Sequence, residues 1–173
     1  YAPAMVIDHG RKTAWGTGLS CHSCLLRPKS RGEVTLESAD PFADPLIDPK
    51  FLSHPDDMKD MVDGYKAMMK VMSSEHFSKY ISEDTQRPVD INDDADIEQA
   101  MRELADTVYH PVGTCKMGDD DMSVVDSNLK VYKMKGLRVV DASIMPTLVG
   151  GNTNAPTIMI GEKASDLILD EWA

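Results

Sequence analysis

Tyr109-His110-Pro111-Val112-Gly113-Thr114-Cys115-Lys116-Met117-Gly118 opens the stretch whose reading decides the fold, and Gly150-Gly151-Asn152-Thr153-Asn154-Ala155-Pro156-Thr157 closes it. Between them lies Asp141-Ala142-Ser143-Ile144-Met145-Pro146. Polar side chains here alternate with glycines and prolines beside segments that need burial. Gly-rich polar turns between a strand and a helix are places where a ligand can approach backbone. The apolar run from Thr157 to Trp172 predicts a last helix, with Pro156 in its first turn. Ile158, Met159, Ile160, Ala164, Leu167 and Ile168 make that helix apolar on more than one side, so burial is expected.

Outward from this stretch the chain reads as a frame. Asp56 to Met72 is the clearest helix, because Met58, Met61, Val62, Tyr65, Met68, Met69 and Met72 recur at helical spacing. Ser53 or Asp56 is the expected cap, and the Met stripe is expected to be core, where Met fills irregular gaps. A short helix or turn is expected over 74–80, and an acidic surface loop over 83–96. Asp93 or Asp94 caps a further helix expected to run to about Val108, burying Ile97, Met101, Leu104 and Val108. Pro111 ends it by disfavouring helical backbone at His110. Upstream, 19–27 and 33–38 suggest an antiparallel pair of strands around the turn 28–32. Pro41, Pro45 and Pro49 then exclude a regular helix over 40–51. Strands are expected at 128–132 and 137–140, with a turn at 134–136.

Composition bounds the function. The chain has 173 residues, 42% of them apolar and 27% charged, which is a globular class. Its net charge of −11 disfavours nucleic acid and anionic lipid as partners. No stretch approaches the ~20 apolar residues of a spanning helix, and Tyr1-Ala2-Pro3 starts no signal-peptide pattern. Cys21, Cys24 and Cys115 are an odd set, read as buried structural thiols in a reducing compartment. Cys21-His22-Ser23-Cys24 has the spacing of a zinc or redox pair but lacks a second ligand pair, so this reading ranks third. Asp119-Asp120-Asp121 reads as a solvated loop rather than a metal site, since adjacent carboxylates point in different directions.

The chemistry-bearing residues are few. His110 stands at the entry to a Gly-containing loop and could exchange a proton near neutral pH, or simply tie the loop down. Asn152 and Asn154 suit a tight turn. The turn feeds a helix whose first N–H groups lack intrahelical partners and whose start carries partial positive charge. Such a terminus can stabilise developing negative charge. Asp141 is placed to accept hydrogen bonds from a ligand hydroxyl or from loop N–H groups. Neither a GxGxxG after a strand nor a GxxxxGK[ST] occurs.

The sequence resembles the C-terminal part of a glucose–methanol–choline (GMC) oxidoreductase of the choline-dehydrogenase-like and alcohol-dehydrogenase type. The resemblance runs from about Leu25 to the end. It rests on Leu26-Arg27-Pro28-Lys29-Ser30-Arg31-Gly32, on His110 to Gly118, on Val124-Val125-Asp126, on Gly136 to Pro146 and on Gly151 to Ala164. It implies an α+β architecture: a substrate lobe with an antiparallel or mixed sheet and covering helices, plus the last strand and helix of an FAD-binding α/β lobe. Residues 1–18 are then an irregular lead-in, 19–128 the substrate lobe and active-site loop, and 129–173 the completion of the FAD lobe.

The resemblance implies oxidation of a CH–OH donor, an alcohol or choline-like molecule, with hydride passing to FAD. His110 matches the family's active-site histidine, and Asn152 its second position, which is His or Asn. Asp141 and Ala142 match a stretch beside the ribityl–pyrophosphate of FAD, while Asn154, Pro156 and Thr157 match the turn near the flavin pyrimidine edge. The glycine fingerprint of the FAD lobe is missing from the chain. The expectation is therefore a fragment, inactive by itself, whose principal partner is the missing N-terminal FAD-binding lobe. Self-association through an exposed sheet edge or helix stripe is a further expectation, as is a cytoplasmic parent with peripheral membrane attachment as an open option. The alternative is a non-catalytic binding or structural module that keeps the family frame.

Overall fold

The structure is a computed structural model that describes residues 6–7, 12–13, 20–81 and 89–172. The rest of the 1–18 lead-in, Leu19, and residues 83–88 of the expected acidic loop lie outside the described residues. The elements in order are β1 (Val6–Ile7), β2 (Lys12–Thr13), β3 (Glu33–Thr35), β4 (Leu46–Asp48), α1 (Pro55–Met72), α2 (Glu75–Ser78), α3 (Asp94–Leu104), a 3₁₀ turn (Ala142–Ile144) and α4 (Asn154–Trp172). The class is α+β. The chain divides into two compact units, one of Tyr1–Leu25 with Leu52–Val108 and one of Leu26–Phe51 with Tyr109–Ala173.

The first unit is built on α1 and α3. Both are amphipathic, and their apolar faces meet in a core of Met58, Val62, Ile97, Ala100 and Met101, with Leu52, Met61, Tyr65 and Val89 packed against it. Of the Met stripe, Met58 is core and Met61 packs against it, while Met68, Met69 and Met72 are half-buried and lie outside that cluster. The cap of α1 is neither Ser53 nor Asp56: His54 Nδ1 accepts the N–H of Asp56 at 3.2 Å. Its imidazole does the work of the usual hydroxyl or carboxylate. Asp93 caps α3 by accepting from Ala95 N at 2.9 Å. That helix stops at Leu104, four residues short of the expected end, and Leu104 and Val108 are exposed. The buried stripe runs out after Met101, so nothing on this unit's core rewards a further turn. Cys21 is half-buried and Cys24 exposed, which corrects the expectation of buried thiols.

The second unit holds less regular structure. β3 pairs antiparallel with β4, in register Val34 with Ile47. The expected partner, 19–27, instead runs without strand structure from Cys21 onward. The reason is local: the proline-punctuated segment returns an extended strand to β3 between Pro45 and Pro49, and Asp40 turns the connection by accepting from Phe42 N. Residues 128–140 form a narrow hairpin rather than two strands. Its bridge is Lys130 with Arg138, flanked by Val131 N–H to Leu137 O (3.0 Å) and Val139 N–H to Leu129 O (3.2 Å). The turn at 134–136 carries Gly136 at φ +71°, a left-handed conformation that suits glycine.

The core of this unit is Val125, Leu129, Ile144, Met145, Ile160 and Ala164. Only two of these lie in a long helix. Irregular segments hold the remainder through backbone bonds such as Cys115 N–H to Ser143 O (3.0 Å) and Met117 N–H to Ile144 O (2.8 Å). Buried loops must satisfy their backbone groups in some such way.

α4 departs from expectation in burial. Ile160 and Ala164 are buried, but Ile158 (59% exposed), Met159 (58%), Leu169 (67%) and Trp172 (83%) are not. A helix apolar on two sides needs two covering surfaces, and this unit supplies one.

Candidate active site

His110 and the Gly-Gly-Asn-Thr-Asn turn are far apart in sequence and meet in the second unit. Tyr109 adopts φ +61° immediately before His110, an uncommon conformation for a residue of its size. Pro111 follows, so His110 sits between two backbone constraints. Gly113 has φ +87°, and a Cβ there would lie 3.2 Å from Met145 O. Glycine thus lets the loop pass close to the 141–146 segment. His110 is half-buried, and its Nδ1 lies 2.9 Å from Thr153 Oγ1, a hydrogen bond spanning 43 residues of sequence. Among the described residues Nε2 has no hydrogen-bond partner.

The turn itself is anchored at both ends. Arg27 donates from Nη1 to Leu148 O at 3.0 Å, and a Cβ on Gly150 would come within 2.8 Å of the Arg27 guanidinium. Gly150 therefore leaves room for the arginine that pins the turn. At the other end Thr153 O receives Thr157 N–H (3.0 Å) and the Thr157 hydroxyl (2.7 Å). Asn152, Asn154 and Ala155 are exposed around the start of α4, with Pro156 half-buried. Asp141 Oδ1 accepts from Ser143 N at 2.8 Å, which caps the 3₁₀ turn that includes Ala142. The other carboxylate oxygen of Asp141 has no partner among the described residues.

Of the residues singled out in the sequence, His110, Asn152 and Asn154 thus cluster around one turn, with Pro156 and Thr157 in the first turn of α4. Asp141 and Ala142 belong to a separate turn of the same unit. Thr153 and Arg27 were not anticipated as site residues. Thr153 was legible only as the residue between two asparagines, and Arg27 only as the end of the expected strand 19–27 and a member of the 26–32 motif. The acidic triplet is a solvated loop in which Lys116 pairs with Asp120 at 2.6 Å. That contact, and the N–H of Met122, hold the Asp120 carboxyl below the usual range.

The family model described as GMC oxidoreductase matches residues 28–161. The chain is 48% identical over 169 residues to an alcohol dehydrogenase [acceptor] of Pseudomonas putida, covering 98% of this chain and 31% of that protein. It is 40% identical over 168 residues to an oxygen-dependent choline dehydrogenase of Klebsiella pneumoniae, covering 97% of this chain and 30% of that protein. Among solved structures it superposes on formate oxidase of Aspergillus oryzae with TM-score 0.81 and 33% identity, over 85% of this chain and 26% of that one. The chain belongs to the GMC oxidoreductase family. It spans about 30% of the length of the curated relatives it matches. Among the described residues no helix is long and apolar enough to cross a membrane.

The description of the formate oxidase structure concerns modification of its FAD, and FAD is the cofactor of the family. The residues present here fit that group. Exposed amide side chains surround the start of a long helix, the open oxygen of Asp141 can accept from a hydroxyl, and apolar side chains of α4 stand uncovered nearby in sequence.

Proposed function

We propose that the chain is the C-terminal portion of an FAD-dependent oxidoreductase acting on CH–OH donors, an alcohol or a choline-like molecule. In this reading 19–128 is the substrate lobe and active-site loop, and 129–173 completes the FAD-binding lobe. The observation that carries the reading is the His110–Thr153 hydrogen bond, which joins the histidine at the entry of the 111–118 loop to the polar turn at the start of α4. When bound, FAD supplies the acceptor for the hydride that leaves the alcohol carbon.

The chain's own residues supply the rest. Oxidising an alcohol to a carbonyl removes one proton and one hydride. His110 handles the proton through Nε2, either taking it or stabilising the alkoxide by hydrogen bonding. Asn152 has no titratable proton, so it orients the substrate oxygen by hydrogen bonding. The partial positive charge at the start of α4 suits the carbonyl edge of the flavin ring near Asn154 and Thr157. The principal partner is the N-terminal FAD-binding lobe of the parent, and the isolated chain is inactive.

The test is a visible absorption spectrum and FAD titration of this chain beside the full-length parent, followed by a panel of alcohols. The expected result is yellow flavin in the parent only, bleached by an alcohol. Replacing His110 by Ala in the parent is expected to slow bleaching by roughly 10²–10⁴-fold. A parent that binds no flavin would leave the non-catalytic module as the better reading.

A further inference from the structure

We infer that Thr153 is a positioning residue for His110, and that Pro156 removes one of the two capping donors that would compete for it. Thr153 occupies the N-cap of α4, whose first helical residue is Asn154. A threonine there ordinarily accepts a hydrogen bond from the backbone N–H of the second or third helical residue. The third helical residue is Pro156, which has no N–H. One of the two usual capping donors is thereby lost, the hydroxyl does not take the other, Ala155 N–H, and among the described residues its one hydrogen bond is to His110 Nδ1.

The geometry makes this contact stiff. Thr153 is only 7% exposed, it is β-branched and so restricted at χ1, and its carbonyl is held by both the N–H and the hydroxyl of Thr157. A hydroxyl also tolerates both states of the ring: it donates to a bare Nδ1 and accepts from a protonated one. The hydrogen bond therefore survives when the ring gains or loses its proton. Engaging Nδ1 commits Nε2 to the substrate oxygen. A carboxylate in the same place would instead favour the charged ring.

This inference rests on the proton-handling role given to His110, and the two can be separated experimentally. In the full-length flavoprotein, Thr153→Val keeps the shape and removes the hydroxyl, while Thr153→Ser keeps the hydroxyl and removes a methyl. Thr153→Val is expected to lower the rate constant of anaerobic flavin reduction by roughly 10–100-fold, the scale for a misplaced catalytic group, and to move the pH profile of that rate. Thr153→Ser is expected to stay within about threefold of the wild type with its profile unchanged. A Thr153→Val enzyme with wild-type rate and profile overturns the inference, and so does a Thr153→Ser enzyme as impaired as Thr153→Val.

His110→Ala is the control. If it leaves reduction intact, the role of His110 fails and the inference with it. If it slows reduction while Thr153→Val does not, the inference alone fails. A second readout needs no valine variant: ¹⁵N-histidine NMR of the wild-type parent. A hydrogen-bonded Nδ1 resonance for His110, kept in Thr153→Ser, is expected. A resonance at the position of a free imidazole overturns the inference.

Discussion

The pair α1 and α3 and the segment from Tyr109 to Thr153 build their cores by opposite means. In the first, one helical face predicts one buried stripe, and Met58, Val62, Ile97, Ala100 and Met101 are where the periodicity puts them. In the second, Val125, Leu129, Ile144 and Met145 are buried without any helical repeat. Their loops are held by long-range backbone hydrogen bonds such as Met117 N–H to Ile144 O. The difference teaches where chemistry can be placed. A periodic helix pair spends its residues on packing, whereas an irregular segment can aim His110 at a turn 43 residues away.

The comparison can be broken most directly at Ile97, which is fully buried. Ile97→Ala removes three carbons from the helix-pair core and is expected to cost about 2–5 kcal/mol. Amide hydrogen exchange should show the loss of protection concentrated in α1 and α3. Equal loss throughout 109–153 would mean that the two regions are not energetically distinct.

A smaller effect is expected at Gly32, where backbone rather than side-chain packing is tested. A Cβ there would lie 2.2 Å from Asp48 O and 2.6 Å from Pro49. Gly32→Ala forces β3 and β4 apart and is expected to cost about 1–3 kcal/mol, the usual scale of overpacking. Urea unfolding gives the number. A neutral result would show that the irregular unit yields more easily than its close contacts imply.

The helix pair is probed more gently at its cap. His54→Ala removes the acceptor for Asp56 N–H and is expected to cost about 1 kcal/mol, with fraying confined to the first turn of α1. His54→Asn restores an acceptor and should recover most of that loss, as read by hydrogen exchange of the 55–58 amides.

The smallest effect is a pH dependence at the end of α4. Glu171 accepts from Lys130 at 2.9 Å and also pairs with Arg138, and these contacts, led by Lys130, hold its carboxyl below the usual range. A carboxyl with a lowered folded-state pKa stabilises the fold above its unfolded pKa and loses that contribution as pH falls through the folded value. Protection factors in the last turn of α4, taken relative to the intrinsic exchange rate at each pH, should therefore fall on acidification below the ordinary glutamate range. Glu171→Gln should abolish the pH dependence of those protection factors. The ion pairs are solvent-exposed, so added salt should weaken the effect.

Legibility followed periodicity. α1, α3 and α4 were visible because a 3.6-residue repeat is a local property of the chain. The strand expected at 19–27 failed because an apolar run does not say which segment will pair with β3. Proline punctuation over 40–51 excluded a helix but did not reveal that Leu46–Asp48 would be that partner. The burial of α4 was overestimated for a related reason. Apolar residues on several sides state a demand for cover, and the surface that covers Trp172 or Leu169 is not among the described residues.

The sequence by itself determined that a histidine followed by proline enters a glycine-containing loop, that an Asn-rich turn starts the last helix, and that these motifs are those of a GMC oxidoreductase. All three are statements about residue type and short-range order. Only the tertiary structure decided that Thr153 is the group that meets His110, that Arg27 pins the turn through Leu148 O, and that Asp141 spends one oxygen on Ser143. The reason is physical. A hydroxyl, a guanidinium and a carboxylate each have several acceptable partners, and which one is taken depends on where the folded backbone brings them together.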